Sequence, residues 1–441
     1  MSVNGVTRGC GAQAHNARRQ LPGCNQRPPG AAPGRAAVVV TAALALLVVA
    51  VLLAPHLRGR EQAVITTRLS LADALGGSDT AGYARALAPR PFVFPADHGP
   101  HPAFRTEWWY LTGNLASEDG RRFGYQLTIF RSALAPDPTA RTSAWATSQA
   151  YMAHFALTDA DGRRFHAFDR FARGAAGLAG GAAEPFRVWL EDWSMESADV
   201  PARGSAGAVS GARAAGPAAI FPLRIRAHQD SIAIDLRLEA GEKPVVLHGD
   251  AGLSRKGPEP GNASYYYSFT RLPTSGEVRT SDGSARVTGA SWFDREWSTS
   301  RLEAGVAGWD WFALQLEDGA DLMVFRLRRE DGTDALRGGT LVDPGGTAHE
   351  RSADDVELRA LDTWASPIDG TTYPARWRLR LPGDSIDLDI VPLLADQELD
   401  TAVRYWEGAV TVSGTRRGRA ARGRGYVELT GYASAVAGPV R

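Results

Sequence analysis

The chain has 441 residues, more than one ordinary core uses and enough for two or three domains. Hydrophobic residues make up 44% and charged residues 22%, the balance of a globular protein, and the net charge of zero gives no bulk attraction to nucleic acid. The only cysteines, Cys10 and Cys24, stand near the N-terminus, which excludes disulfide and thiol chemistry from the body of the protein.

Residues 1–35 carry Arg8, Arg18, Arg19, Arg27 and Arg35 and no acidic residue, among many Gly, Pro and Asn. That composition predicts a disordered basic tail. Residues 36–54 are nineteen uncharged positions without Gly or Pro. At 1.5 Å per residue they span about 28 Å, close to the hydrocarbon core of a bilayer. The arginines ahead of them predict a cytoplasmic N-terminus and a body outside the cytoplasm, in the manner of a single-pass inner-membrane protein. A cleaved signal peptide is the competing reading, but it would have a shorter apolar region and a small-x-small cleavage site. Residues 55–90 read as a polar juxtamembrane linker.

From Pro91 the texture changes to short alternating apolar runs separated by turn pairs such as Asp119-Gly120, Asp161-Gly162, Asp282-Gly283 and Asp318-Gly319. Closely spaced strands with such turns predict an all-β sandwich or barrel. Strands are expected at 123–130, 151–157, 186–193, 223–225, 231–238, 265–269, 309–316, 322–327, 376–381, 386–391, 409–412 and 426–429. The small-residue stretches 172–183 and 202–219 read as loops. The arginine-rich run 416–425 reads as an exposed hairpin tip, better suited to anionic lipid headgroups than to nucleic acid. Trp109-Tyr110 followed by Asp119-Gly120 and Phe130-Arg131 has a faint echo in Trp311-Phe312, Asp318-Gly319 and Phe325-Arg326. The echo suggests two related β domains, 91–300 and 301–441.

Twelve tryptophans imply large apolar contact surfaces, either core or ligand-lining. Two stretches concentrate them with acids. In 105–115, strand alternation puts Glu107 and Trp109 on one face and Trp108 and Tyr110 on the other. In 291–297, Trp292, Asp294 and Glu296 share a face opposite Phe293, Arg295 and Trp297. Asp294 and Glu296 would lie roughly 6.5–7 Å apart along such a strand. Two carboxyls that close beside an indole hold one proton at neutral pH, unless Arg295 and other arginines neutralise them as a structural network. Tyr265 and Tyr267 also share a face, where they either orient a lipophile or serve as ordinary strand residues. Asp97-His98-Gly99-Pro100-His101 is a polar turn without the further ligands of a metal site. The chain has no nucleophile elbow, phosphate loop, dinucleotide fingerprint or zinc spacing, so no cofactor is expected.

The strings PADHGPHPAFRTEWWYLTGN, SWFDREWS, GWDWFALQLEDG, YWEGAVTVSG and GYVELTGY resemble those of the AttH / carotenoid 1,2-hydratase family, over about residues 92–432. The resemblance implies two tandem lipocalin-like (calycin) antiparallel β-barrel domains, here after an N-terminal transmembrane helix, with a lipophile site in or between the barrels. Members include hydratases that add water to a terminal carotenoid double bond, and AttH-type proteins encoded beside ABC-transporter permeases. It places the acid role on Asp294, with Glu107 and Glu296 as partners and Trp292 and Trp109 as walls facing a cation. The expected ligand-binding set is Trp108, Trp109, Tyr110, Tyr265, Tyr267, Trp292, Trp297, Trp309 and Trp311. Two functions follow as expectations: an anchored binder of a lipid or other long apolar molecule, partnered with an ABC export system, or a hydratase acting through Asp294. A scaffold whose barrels are filled solid with side chains is the structural alternative.

Overall fold

A computed structural model describes residues 80–136, 143, 145–198, 216–300 and 302–433. The expected anchor at 36–54 lies outside the described residues, among which no helix is long and apolar enough to cross a membrane.

The regular structure of the described chain is almost entirely antiparallel strand, in two sheets. The first contains β1 (Thr106–Ser117), β2 (Arg122–Ala133), β3 (Gln149–Asp159), β4 (Arg164–Arg173), β5 (Ala179–Ala183), β6 (Phe186–Leu190), β7 (Trp193–Ser197), β8 (Leu223–Gln229), β9 (Ile232–Leu238), β10 (Val246–Leu247), β11 (Leu253–Arg255), β12 (Ala263–Thr280) and β13 (Gly283–Ser298). The second contains β14 (Val306–Leu316), β15 (Asp321–Arg329), β16 (Asp334–Val342), β17 (Ala348–Arg351), β18 (Glu357–Ala365), β19 (Thr372–Leu381), β20 (Ile386–Pro392), β21 (Glu398–Leu399), β22 (Tyr405–Arg416) and β23 (Arg419–Leu429). Their orders, β4-β3-β2-β1-β13-β12-β9-β8-β7-β6-β5 and β17-β16-β15-β14-β23-β22-β20-β19-β18, follow one plan. Each sheet opens with a four-strand meander and returns its last strand to pair beside its first.

Both sheets curl. In the first, β6 packs against β2, β3 and β4, and the Phe155 and Trp193 rings meet at 5.7 Å across the interior. In the second, Phe312 and Trp377 meet at 5.5 Å. The inward positions of both are filled by buried apolar side chains, so each interior is a packed core. The DG turns work as expected: Gly120 and Gly319 close the β1–β2 and β14–β15 hairpins with φ near +90°, a region open to glycine. Two loop expectations are corrected. Ala179–Ala183 is strand β5, because its small side chains let Trp189 of the neighbouring β6 lie across Gly180. The hairpin tip spans only 416–419, and β23 then carries the remaining arginines along an edge-to-edge pairing with β22.

The two sheets meet through their outer faces. Gly124 on β2 lies against Ala409 on β22 so closely that a Cβ would sit 2.4 Å from the alanine methyl. Polar contacts fix the register: Asn114 donates to the Gly425 carbonyl (3.0 Å), Thr158 to Gln397 (2.7 Å), and Lys243 to Asp321 (2.7 Å). Two small aromatic clusters fill the apolar part of this seam, one around Phe130 and Tyr405, the other around Tyr110, Tyr266, Trp292 and Trp311.

Candidate active site at the seam

Strand alternation decides which side chains reach the seam. In the β1–β13–β12 ladder, Tyr110 pairs with Asp294 and Trp108 with Glu296. Ser268 and Tyr266 pair with the same two acids from the other side. All six therefore point to the outer face. From the second sheet, Trp309 and Trp311 on β14, Met323 and Phe325 on β15, Tyr405 on β22 and Glu428 on β23 face them. Between these groups is a cavity of about 150 Å³, walled on one side by Ser300 and Leu302 of the segment joining the sheets. A dry space of that size holds a benzene-sized group.

Asp294 is buried in this wall and accepts three hydrogen bonds: from Trp292 Nε1 (2.6 Å), Tyr266 Oη (2.6 Å) and Ser268 Oγ. Burial is the main cause that raises its carboxyl, to about 7 overall; the three donors pull it down and the nearby Glu296 charge adds a further push up. Its carboxyl is therefore raised far above the ordinary carboxylate range, toward neutral pH. Glu296, two positions on, is paired with Lys256 at 3.0 Å at the cavity edge.

A second pair of acids stands in the other sheet. Glu407 and Glu428 are direct cross-strand partners on β22 and β23, and Glu428 lines the cavity. Burial raises both, and their mutual proximity raises Glu407 further; the Tyr110 and Tyr405 hydroxyls and the Trp309 indole offset this only in part. Such a pair titrates as a unit, with both carboxyls raised by burial.

The expected site residues thus divide by face. Trp108, Tyr110, Asp294, Glu296, Trp309 and Trp311 line the cavity; Trp292 stands directly behind, donating to Asp294 and meeting Trp311 edge-on at 6.3 Å. Glu107, Trp109, Tyr265, Tyr267 and Trp297 belong to the interior of the first sheet and are corrected out of the cavity. Glu107 is fully buried between Arg131 and Arg295 and accepts from the His101 backbone at 3.0 Å. Burial alone would raise its carboxyl; Arg295, His101 and Arg131 overcome that and hold it well below the usual range. Trp109 is clamped under the Arg295 guanidinium, 4.0 Å from its ring, and Trp297 is stacked on His101 at 3.8 Å. Arg295 therefore neutralises Glu107 on its own face and leaves Asp294, on the other, without an ion pair among the described residues. Tyr266, Ser268, Glu407 and Glu428 were not singled out from the sequence. Tyr266 was hidden in a tyrosine triplet whose facing parity depends on the register with β13. Glu407 and Glu428 stand inside two of the strings that carry the family resemblance, but only the fold pairs them.

The sequence pattern of the AttH-like family matches residues 85–432. The chain belongs to that family. A crystal structure of an AttH protein from Nitrosomonas europaea is 33% identical, with a TM-score of 0.66 over 79% of this chain and all of that one. The kievitone hydratase of Nectria haematococca is 16% identical, with a TM-score of 0.56 over 77% of this chain and 93% of that one, a likeness of fold. Comparison with curated proteins gave no match. For this AttH-like chain, the shared fold places the seam, and its own residues decide what the seam does.

Proposed function

We propose that this protein binds one end of a long apolar alkene in the seam cavity and adds water to its double bond by acid catalysis. One observation carries the reading: a buried carboxyl, Asp294, that keeps a proton near neutral pH inside an aromatic cavity. Protonating a trisubstituted alkene needs an acid aimed at carbon and an environment that tolerates the tertiary cation formed. Asp294 is the acid, and the faces of Trp108, Trp309 and Trp311 stabilise the cation. Water then attacks the cation, and Glu428, in its ionised form, takes the proton that the water sheds. One C–H and one C–O bond form, and one C=C π bond is lost. The cavity's size suits one branched alkene terminus or one ring, so the rest of a long substrate lies outside it. Kievitone hydratase bears the name of a water-adding enzyme on the same fold, which is compatible with this use of it.

Binding without turnover is the second reading, and the same aromatic lining favours it. Both readings tether the body to a membrane through 36–54, where apolar substrates partition, and the binding reading alone adds an ABC export permease as the partner; resistance of the protein to alkaline carbonate extraction tests the tether. The decisive experiment incubates the purified protein with an acyclic carotenoid in H₂¹⁸O. The enzyme reading expects an ¹⁸O-labelled tertiary alcohol and at least about a hundredfold loss of rate in Asp294→Asn. Carotenoid bound but unchanged would leave the binding reading alone standing.

A further inference from the structure

An acid that gives its proton to carbon must be recharged in every turnover, while the cavity in front of it is filled by product. Behind Asp294 runs an unbroken line of hydrogen bonds. Ser268 Oγ bonds Asp294 Oδ1 and stands 2.6 Å from His248 Nε2. His248 Nδ1 stands 2.8 Å from Thr340 Oγ1, which is 2.9 Å from Glu350 Oε1. Ser268, His248 and Thr340 are buried, whereas Glu350 is at the surface. The line leaves the first sheet at Ser268, crosses the seam at His248 and ends in the second sheet, where Thr340 and Glu350 are cross-strand partners on β16 and β17.

We infer that Ser268, His248, Thr340 and Glu350 form a proton path that recharges Asp294 from solvent on the side away from the substrate. The inference rests on Asp294 being the acid. Each link can both give and take. With Asp294 ionised, Glu350 donates to Thr340, Thr340 to Nδ1, Nε2–H to Ser268, and Ser268 to Asp294. Passing one proton along each link leaves Asp294 protonated, Glu350 ionised and His248 in its other neutral tautomer. No atom is left over, and every hydrogen bond persists with its direction reversed. Burial keeps His248 neutral, its pKa pushed down to about 3, and the Lys256 charge pushes the same way. A neutral imidazole is what a tautomer relay needs, because an imidazolium has no acceptor. His248 is held in line by the Tyr266 ring, 4.2 Å from its own, and Tyr266 also donates to Asp294.

Satisfying buried polar groups is a purely structural use of the same bonds, so the test reads proton motion. Purified protein in benzene-saturated buffer, which plugs the cavity, is jumped from pH 9 to pH 6, and the carboxyl infrared band absent from Asp294→Asn is followed in time. Thr340→Val keeps the shape and cuts the path; Thr340→Ser keeps the hydroxyl. The band is expected to grow at least tenfold more slowly in Thr340→Val and at the native rate in Thr340→Ser. Equal rates in native protein and Thr340→Val would overturn the path. A band that never appears between those pH values would instead overturn the acid role of Asp294, and the path with it. Unfolding of Thr340→Val is read separately by circular dichroism, and in that event His248→Gln replaces it as the cut.

Discussion

Asp294 and Glu107 are two buried acids on adjacent strands with opposite fates, and the difference is one of partners. Glu107 has two guanidiniums; Asp294 has three neutral donors and a neighbouring acid. The consequences for stability have opposite signs. The carboxyl of Glu107 lies lower in the folded state than in the unfolded one. Its contribution is present above the ordinary carboxylate range and is lost on acidification. Asp294 is raised from 3.8 to about 7 on folding. Between those values the folded state binds more protons than the unfolded state, so this contribution is lost as pH rises through them. Removing the charge removes the penalty. Asp294→Asn should unfold at higher denaturant than the native protein at pH 8, by up to about 4 kcal/mol for a shift near three units, and at a similar concentration near pH 4. Urea titrations at both values check this, and a variant equally destabilised at both would contradict it. Glu107→Ala strands two buried arginines and should cost about 3–5 kcal/mol at neutral pH. Asp294 was legible through composition and resemblance. Glu107 was not separable from it there, because the chain order carries no information about which guanidiniums close over which acid.

At the scale of strands, a period of two sorts functional from structural aromatics. The alternation in 291–297 was legible, and so was the split of Glu107 and Trp109 from Trp108 and Tyr110. Which face met the cavity was not, because that depends on β1, β12 and β13 lying side by side in a fixed register. The tyrosine triplet shows the cost. Tyr265 and Tyr267 share a face as expected, but it is the core face, where Tyr267 bonds His98 at 2.6 Å. Tyr266 alone reaches Asp294. Tyr266→Phe removes a donor that lowers the Asp294 carboxyl, so its titration should move upward, by as much as about one unit. Tyr267→Phe should leave that titration in place. The Asp294 infrared band, followed against pH in both variants, distinguishes them; an equal shift in both would contradict the assignment of faces. The hairpins themselves were legible from their DG turns, because glycine at positive φ is a local requirement. Strand β5 was not, because Ala and Gly carry no alternating signal.

At the scale of the molecule, the site exists only because two packed sheets face each other. The interiors are filled by apolar side chains, and the cavity lies in the seam, where aromatic rings on β1, β14 and β15 hold the sheets apart while Gly124 and Ala409 elsewhere bring them together. Asp321 is a buried tie across this seam. It is fully buried on β15 and receives Lys243 of the β9–β10 connection at 2.7 Å and, from β12, Thr270 at 2.8 Å and Arg271 at 2.5 Å. Replacing it with alanine leaves a largely buried lysine without its carboxylate and frees Arg271, at a cost of about 3–5 kcal/mol. The loss falls on the contact between the sheets and spares their separate cores, which rest on their own apolar clusters. Native protein should therefore unfold in one transition by tryptophan fluorescence. Asp321→Ala should show the cavity failing first: quenching by an apolar probe disappears at a lower denaturant concentration than the loss of β-sheet circular dichroism. Coincident transitions in the variant would mean that the sheets are held together mainly by the aromatic clusters, and that the cavity is as stable as the fold around it.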